Sequence, residues 1–220
     1  AAQHEGIYYT PNPCLAPLLA RAHNAVRPAT RGETTKDSEI IRRRWLLVDV
    51  DAVRPPGISS TDPEHEEALA RAQAIRSALE DLSWPSPVEA DSGNGAHLQW
   101  RIEEPNDDAT RLLIERVLKA LHARFGDDAA AIDGKVANAS RIWKLPGTTA
   151  RKGSAMPDRP WRQARILRCP DSIVVVPRPQ LEELAGPQPT VETQRRPVTG
   201  AEDMRVKRAR AYLAKIPPAV

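Results

Sequence analysis

An α+β fold follows from three features of the sequence. Between Arg44 and Asp133 the apolar pattern alternates between the two-residue period of strands and the 3.6-residue period of helices, in the order β-α-β-β-α-β. Both helical stretches carry start and stop residues. A Ser92-Gly93-Asn94-Gly95 turn joins the two middle strand-like runs.

In chain order, Gly6-Ile7-Tyr8-Tyr9-Thr10 predicts a short strand, and Leu15, Leu18, Leu19 and Ala22 a helical pattern behind a Pro-bounded turn. Residues 30–39 are polar and predict a loop. Trp45-Leu46-Leu47-Val48-Asp49-Val50-Asp51 reads as a buried strand that turns acidic at its end. After Arg54-Pro55-Pro56-Gly57, Asp62 is the expected N-cap of a helix with Pro63 in its first position. Leu69, Ala72, Ile75, Leu79 and Leu82 form its apolar stripe, and Pro85 and Pro87 mark its exit. Val88-Glu89-Ala90-Asp91 predicts a second strand, and His97-Leu98-Gln99-Trp100-Arg101-Ile102 alternates as a third. A second helix spans about Asp107 to Arg124, with Leu113, Val117, Leu118 and Leu121 inward and Gly126 as C-cap. A short strand Ala130-Ala131-Ile132-Asp133 follows, with later strand-like runs at Arg141–Leu145 and Ser172–Val176. Residues 184–200 read as a linker, and 201–215 as a separate amphipathic helix.

Composition narrows the class. Apolar residues make up 40% of the 220, enough for one core, but aromatics only 4%, so Leu, Val, Ile and Ala must fill it. Cys14 and Cys169 lie far apart with no CxxC pair, which argues against structural zinc and a disulfide framework. No apolar run approaches membrane-spanning length and no signal peptide opens the chain, so a cytoplasmic location is expected. Ala1 in place of Met suggests an excised piece of a longer protein. The net charge is only +3, but basic residues cluster at Arg42-Arg43-Arg44, from Arg141 to Arg168, and from Arg205 to Arg210. Such runs can meet phosphates, although most are solvated faces.

The element order is that of a ferredoxin-like, or RRM-like, βαββαβ core. Right-handed, non-crossing connections put its strands in the spatial order 4-1-3-2. Alternation then turns Val48 and Val50 toward the helices and Asp49 and Asp51 onto the open face, with His97, Gln99 and Arg101 beside them. Asp133 arrives from the other neighbouring strand. Three close carboxylates repel one another and need a cation. Oxygen-only ligation suits Mg²⁺ or Mn²⁺, and two ions roughly 3.5–4 Å apart are a standard apparatus for phosphoryl transfer. Ser92, Asn94 and His97 would offer donors to a triphosphate. Taken singly, each of these features has a bland reading as a solvated turn, a hairpin or a surface histidine. It is their order on one fold that points to a site.

At these residues the chain resembles the archaeo-eukaryotic primase superfamily, in particular the primase–polymerases of phages, plasmids and mobile elements. The matching motifs are Leu47-Val48-Asp49-Val50-Asp51, then Ser92-Gly93-Asn94-Gly95-Ala96-His97, then Ile132-Asp133. The run Asn138-Ala139-Ser140-Arg141-Ile142-Trp143-Lys144-Leu145-Pro146-Gly147-Thr148 resembles the segment that follows in the phage-type branch. The resemblance covers about residues 5–180. It implies a template-dependent DNA primase or polymerase, a nucleotidyltransferase of DNA replication that adds nucleotides to a 3′-hydroxyl. Asp49, Asp51 and Asp133 would then be catalytic metal ligands, His97, Arg141 and Lys144 would meet the nucleotide, and Arg151 and Lys152 would meet nucleic acid. Its partners would be a DNA template and primer, dNTP or NTP, and a helicase fused or associated C-terminally; no Walker motif lies in this chain. The expected organisation is a catalytic domain at 1–183 (a small α/β N-terminal unit at 1–40, the core at 41–150, the remainder at 151–183), the linker, and the helical start of a following domain at 201–220.

Three rivals have weaker support. A nucleotide cyclase would carry its acids in the central hairpin. A relaxase-type initiator needs paired histidines, and no His-x-His occurs. A non-catalytic nucleic-acid-binding module of the same fold would present aromatics rather than acids on the open face.

Overall fold

The computed structural model describes residues 6–23, 25–29, 32–187 and 206–208. The chain divides after Pro187. Of the second unit, Gln188–Val220, only the helical residues 206–208 are described, so most of the expected linker and terminal helix lies outside the described residues.

The first unit is a mixed α/β domain with a mostly antiparallel sheet. β1 is Tyr8–Tyr9, β2 Arg42–Ala52, α1 Asp62–Asp81, β3 Val88–Asp91, β4 Gly95–Pro105, α2 Asp108–Phe125, β5 Ala130–Ile132, β6 Trp143–Lys144, β7 Thr149–Ala150, β8 Arg162–Gln163, β9 Arg165–Arg168 and α3 Arg178–Ala185. Among the described residues the main sheet has the order β5-β2-β4-β3-β9, every pairing antiparallel. The four core strands therefore stand fourth, first, third, second. β9 extends the sheet beyond β3, an addition the apolar pattern of Arg165-Ile166-Leu167-Arg168 did not announce, because all four residues are exposed.

Alternation along β2 and β4 sets the layers. Leu46, Val48 and Val50 of β2 and Leu98, Trp100 and Ile102 of β4 are at most 1% exposed and pack with Ile75, Leu79, Val117 and Leu121 of the helices. Each such aliphatic side chain contributes roughly 1.5–3 kcal/mol by leaving water. The N-cap of α1 is Thr61, not Asp62: its hydroxyl accepts from Glu64 N (3.3 Å) and Glu64 Oε2 accepts from Thr61 N (2.8 Å). The reciprocal Thr-x-x-Glu box outcompetes a single Asp cap because it satisfies two orphan donors. The buried face of α1 is His65, Ala68, Ala72, Ile75 and Leu79. Leu82 falls past the last turn and is half exposed. Asp107 caps α2, accepting from Thr110 N at 2.8 Å.

Other expectations need correction. Ser172–Val176 is not a strand; Val175 makes only an isolated bridge to Arg101, and Ile173, Val174 and Val175 remain exposed. The first helical pattern is a 3₁₀ turn at Ala16–Arg21 without a buried residue. The run at 141–145 shortens to β6, which pairs with β1 and so brings the N-terminal segment across to it. The first two residues of the expected linker, Leu184 and Ala185, belong to α3, which docks through buried Leu181 and an ion pair of Arg178 with Glu104. In the turn, Gly93 rather than Asn94 holds positive φ (92°), the first central position where a hairpin of type II′ needs glycine. Both cysteines are free. No described helix is long and apolar enough to cross a membrane.

Candidate functional site

The strand register assembles the site. Asp49 lies opposite His97 and Asp51 opposite Gly95 across β2 and β4. On the other side of β2, Val50 pairs with Ile132, and the amide of Asp133 donates to the Asp49 carbonyl at 3.0 Å. Asp49, Asp51 and Asp133 thus come from adjacent chain segments on the face away from α1 and α2.

Their electrostatics differ. The Asp49 carboxyl is pushed well above the ordinary 3.8, first by loss of water and then by the charges of Asp51 and Asp133, with Arg141 and Lys152 opposing. Asp51 pairs with Arg54 at 3.3 Å; that guanidinium, 5% exposed, also donates to the carbonyls of Ile58 and Ala52. Asp133 accepts from Arg141 Nη2 at 2.9 Å and from Lys135 N at 2.8 Å, capping the 3₁₀ turn that follows. Among the described residues no three His, Cys, Asp or Glu side chains are arranged as a group that could hold a metal ion. The guanidiniums of Arg54 and Arg141 engage two of the three acids instead.

His97 is buried, with Nε2 3.5 Å from Asp49 Oδ1. Burial first, and Arg141 to a smaller extent, drive its pKa down to about 3, against the pull of Asp91. The imidazole is therefore neutral at ordinary pH and keeps one donor and one acceptor nitrogen. Trp143 stacks on it at 3.8 Å with 26° between the planes. The face is thus covered locally by the β1–β6 segment rather than fully open. The indole of Trp143 is 2% exposed and its N–H has no partner among the described residues. Trp143→Ala is expected to cost about 3–5 kcal/mol. Trp143→Phe, which keeps a ring on the imidazole and leaves a smaller cavity, should cost less than the alanine variant. Urea unfolding of both variants checks the difference.

The remaining predicted residues have protein partners. Ser92 Oγ accepts from Gly95 N at 3.1 Å, bracing the turn. Asn94 Oδ1 accepts from Ser60 N at 2.9 Å, tying the turn to the loop before α1. Those two side-chain oxygens hold the turn in place. Lys144 is buried, donates to the Thr149 carbonyl at 2.9 Å and stands 5.4 Å from the Tyr8 ring centroid. Burial and then Arg151 lower its pKa. Arg151 lies over Trp161 at 5.4 Å, and Lys152 is exposed. Two further residues, Arg54 and Trp143, belong to the site without having been expected there. Arg54 lies in a Pro-Gly loop with no periodicity to place it, and Trp143 reads in sequence as one apolar residue of a strand.

Asp91 supports the turn from beneath. Its Oδ1 lies 2.8 Å from His65 Nε2 and accepts from Gly93 N at 2.7 Å. Burial opposes its ionisation, yet these bonds hold its pKa below the usual value.

No family model and no curated protein matches the chain. Among solved structures, the AEP domain of the primase-polymerase (PrimPol) of cyanophage S-2L is similar with a TM-score of 0.40 and 21% identity, over 69% of this chain and 64% of that one. A likeness of that degree decides neither the fold nor the activity. The expected helicase partner finds no support in the structure or the comparisons.

Proposed function

We propose that the chain is a primase–polymerase core, a DNA-dependent nucleotidyltransferase on a ferredoxin-like sheet. One observation carries the reading. Three aspartates from β2 and the end of β5 come together beside a neutral histidine, and burial first, then the charges of Asp51 and Asp133, raise the pKa of the most enclosed one. A cation received there would relieve that repulsion.

The donor set suits Mg²⁺ or Mn²⁺ in its chemistry, three hard carboxylates without thiol or imidazole excess. Asp49, Asp51 and Asp133 would hold the ions, once Arg54 and Arg141 give up their carboxylates. A divalent ion bound there supplies positive charge for the transferring phosphoryl group and lowers the pKa of the attacking hydroxyl. His97, uncharged, would hydrogen-bond the incoming nucleotide without adding charge beside the acids. Arg141, released from Asp133, and Lys144 would meet its phosphates, and Arg151 and Lys152 the nucleic-acid backbone.

Primer extension on a DNA template with dNTPs and Mn²⁺ should lengthen the primer, and EDTA should stop it. A different reading, a non-catalytic nucleic-acid-binding domain, is favoured by the ion pairs that already engage Asp51 and Asp133. Absence of extension under every divalent ion, with oligonucleotide binding intact, would select it.

A further inference from the structure

The same sheet face changes character toward the start of β2. In register, Trp45 lies opposite Arg101, four residues from the Asp49–His97 pair, or about 13 Å along the strand. The Arg101 guanidinium carbon is 5.6 Å from the Trp45 ring centroid. Glu103 on this face serves three guanidiniums at once: Arg42 at 3.2 Å, Arg44 at 4.0 Å, and Arg101. One carboxylate against three cations leaves two positive charges. The side chains of Arg42 and Arg44 are each 45% exposed, and Trp45 is partly exposed. The backbone here is pinned, since Asn12 Oδ1 accepts from Arg44 N (2.8 Å) and Trp45 N (3.3 Å).

We infer that this end of the sheet is a platform for single-stranded nucleic acid, which the proposed polymerase, if that reading holds, uses for its template strand. Trp45 packs against the core with the Arg101 guanidinium over its ring, so a base would stack on the Arg101–Trp45 pair while Arg42 and Arg44 meet the flanking phosphates. The acids do not forbid this. Asp49 stands about 13 Å away along the strand, and Asp51 and Asp133 are already paired with Arg54 and Arg141. The face therefore has two ends, a basic aromatic end that holds the strand and an acidic end suited to phosphoryl transfer.

The test measures fluorescence anisotropy of a labelled single-stranded oligonucleotide, DNA in one arm and RNA in the other, against the full chain over a range of salt. Trp45→Ala should weaken binding roughly five- to a hundredfold, the range for losing one stacked base. Arg42→Gln with Arg44→Gln should lower the slope of log K against log salt by about 0.7 per arginine. In extension assays the same variants should raise KM for primer–template. Asp49→Asn should bind the oligonucleotide like the parent. If Trp45→Ala misfolds, the exposed arginine pair decides the matter alone. Parent-like affinity and salt slope in the arginine variant overturn the platform, even if the chain extends primers. Binding losses in a chain that never extends a primer uphold the platform and sink the polymerase reading.

Discussion

Asp49→Asn is expected to abolish primer extension, by more than about a hundredfold, while leaving a protein at least as stable as its parent. Residues that merely orient a metal's ligands already carry roughly 10- to 100-fold of activity, so losing a ligand at the centre of the group should cost more. The stability half follows from charge. Burial and the neighbouring Asp51 and Asp133 raise the Asp49 pKa well above 3.8. An acid that holds its proton more tightly folded than unfolded contributes stability below its unfolded pKa, and this is lost as pH rises through the folded pKa. Above that window the ionised carboxylate is a net cost that asparagine does not carry. In EDTA the melting temperature of Asp49→Asn should exceed that of the parent near pH 8, and the gap should close toward about pH 4. A variant that extends primers normally would remove the acids from the chemistry. One that melts lower at neutral pH would contradict the repulsion.

Gly95→Ala should be the most damaging single methyl in the site. A Cβ there would sit 2.2 Å from the Val50 carbonyl oxygen and 3.1 Å from the Asp51 Cα. Both are backbone atoms of the strand bearing the acids, so no side chain can swing away. Overpacking a core costs typically about 1–3 kcal/mol where side chains can adjust, and the upper end or more is expected here. For a chain of this size that lowers the melting temperature by roughly 6–12 °C. Any fold that survives must part β2 from β4 at Asp51, so extension should fall together with stability. Gly134→Ala is the control, because a Cβ there meets nothing within 4 Å. Equal melting temperatures for the two would show that the strands at Gly95 give way easily.

The sequence alone determined the order of the core elements from β2 to β5 and the facing of β2 and β4. Alternation in β4 and in the Val48-Asp49-Val50-Asp51 end of β2 puts apolar residues on one side, and the facing of Asp49, Asp51 and His97 followed from that. α2 was legible for the same reason, with Asp107 before it and a clear apolar stripe. The tertiary structure alone decided what lies against those residues. β9 joins the sheet through backbone hydrogen bonds, and its exposed side chains leave no apolar signature. Trp143 reaches His97 in a layer completed by β1, which pairs with β6 from a distant part of the chain. The partners of Asp51 and Asp133, Arg54 and Arg141, depend on loop paths that no periodicity encodes. Local pattern records which side chains must leave water; which charges then meet is settled only when distant segments pack together.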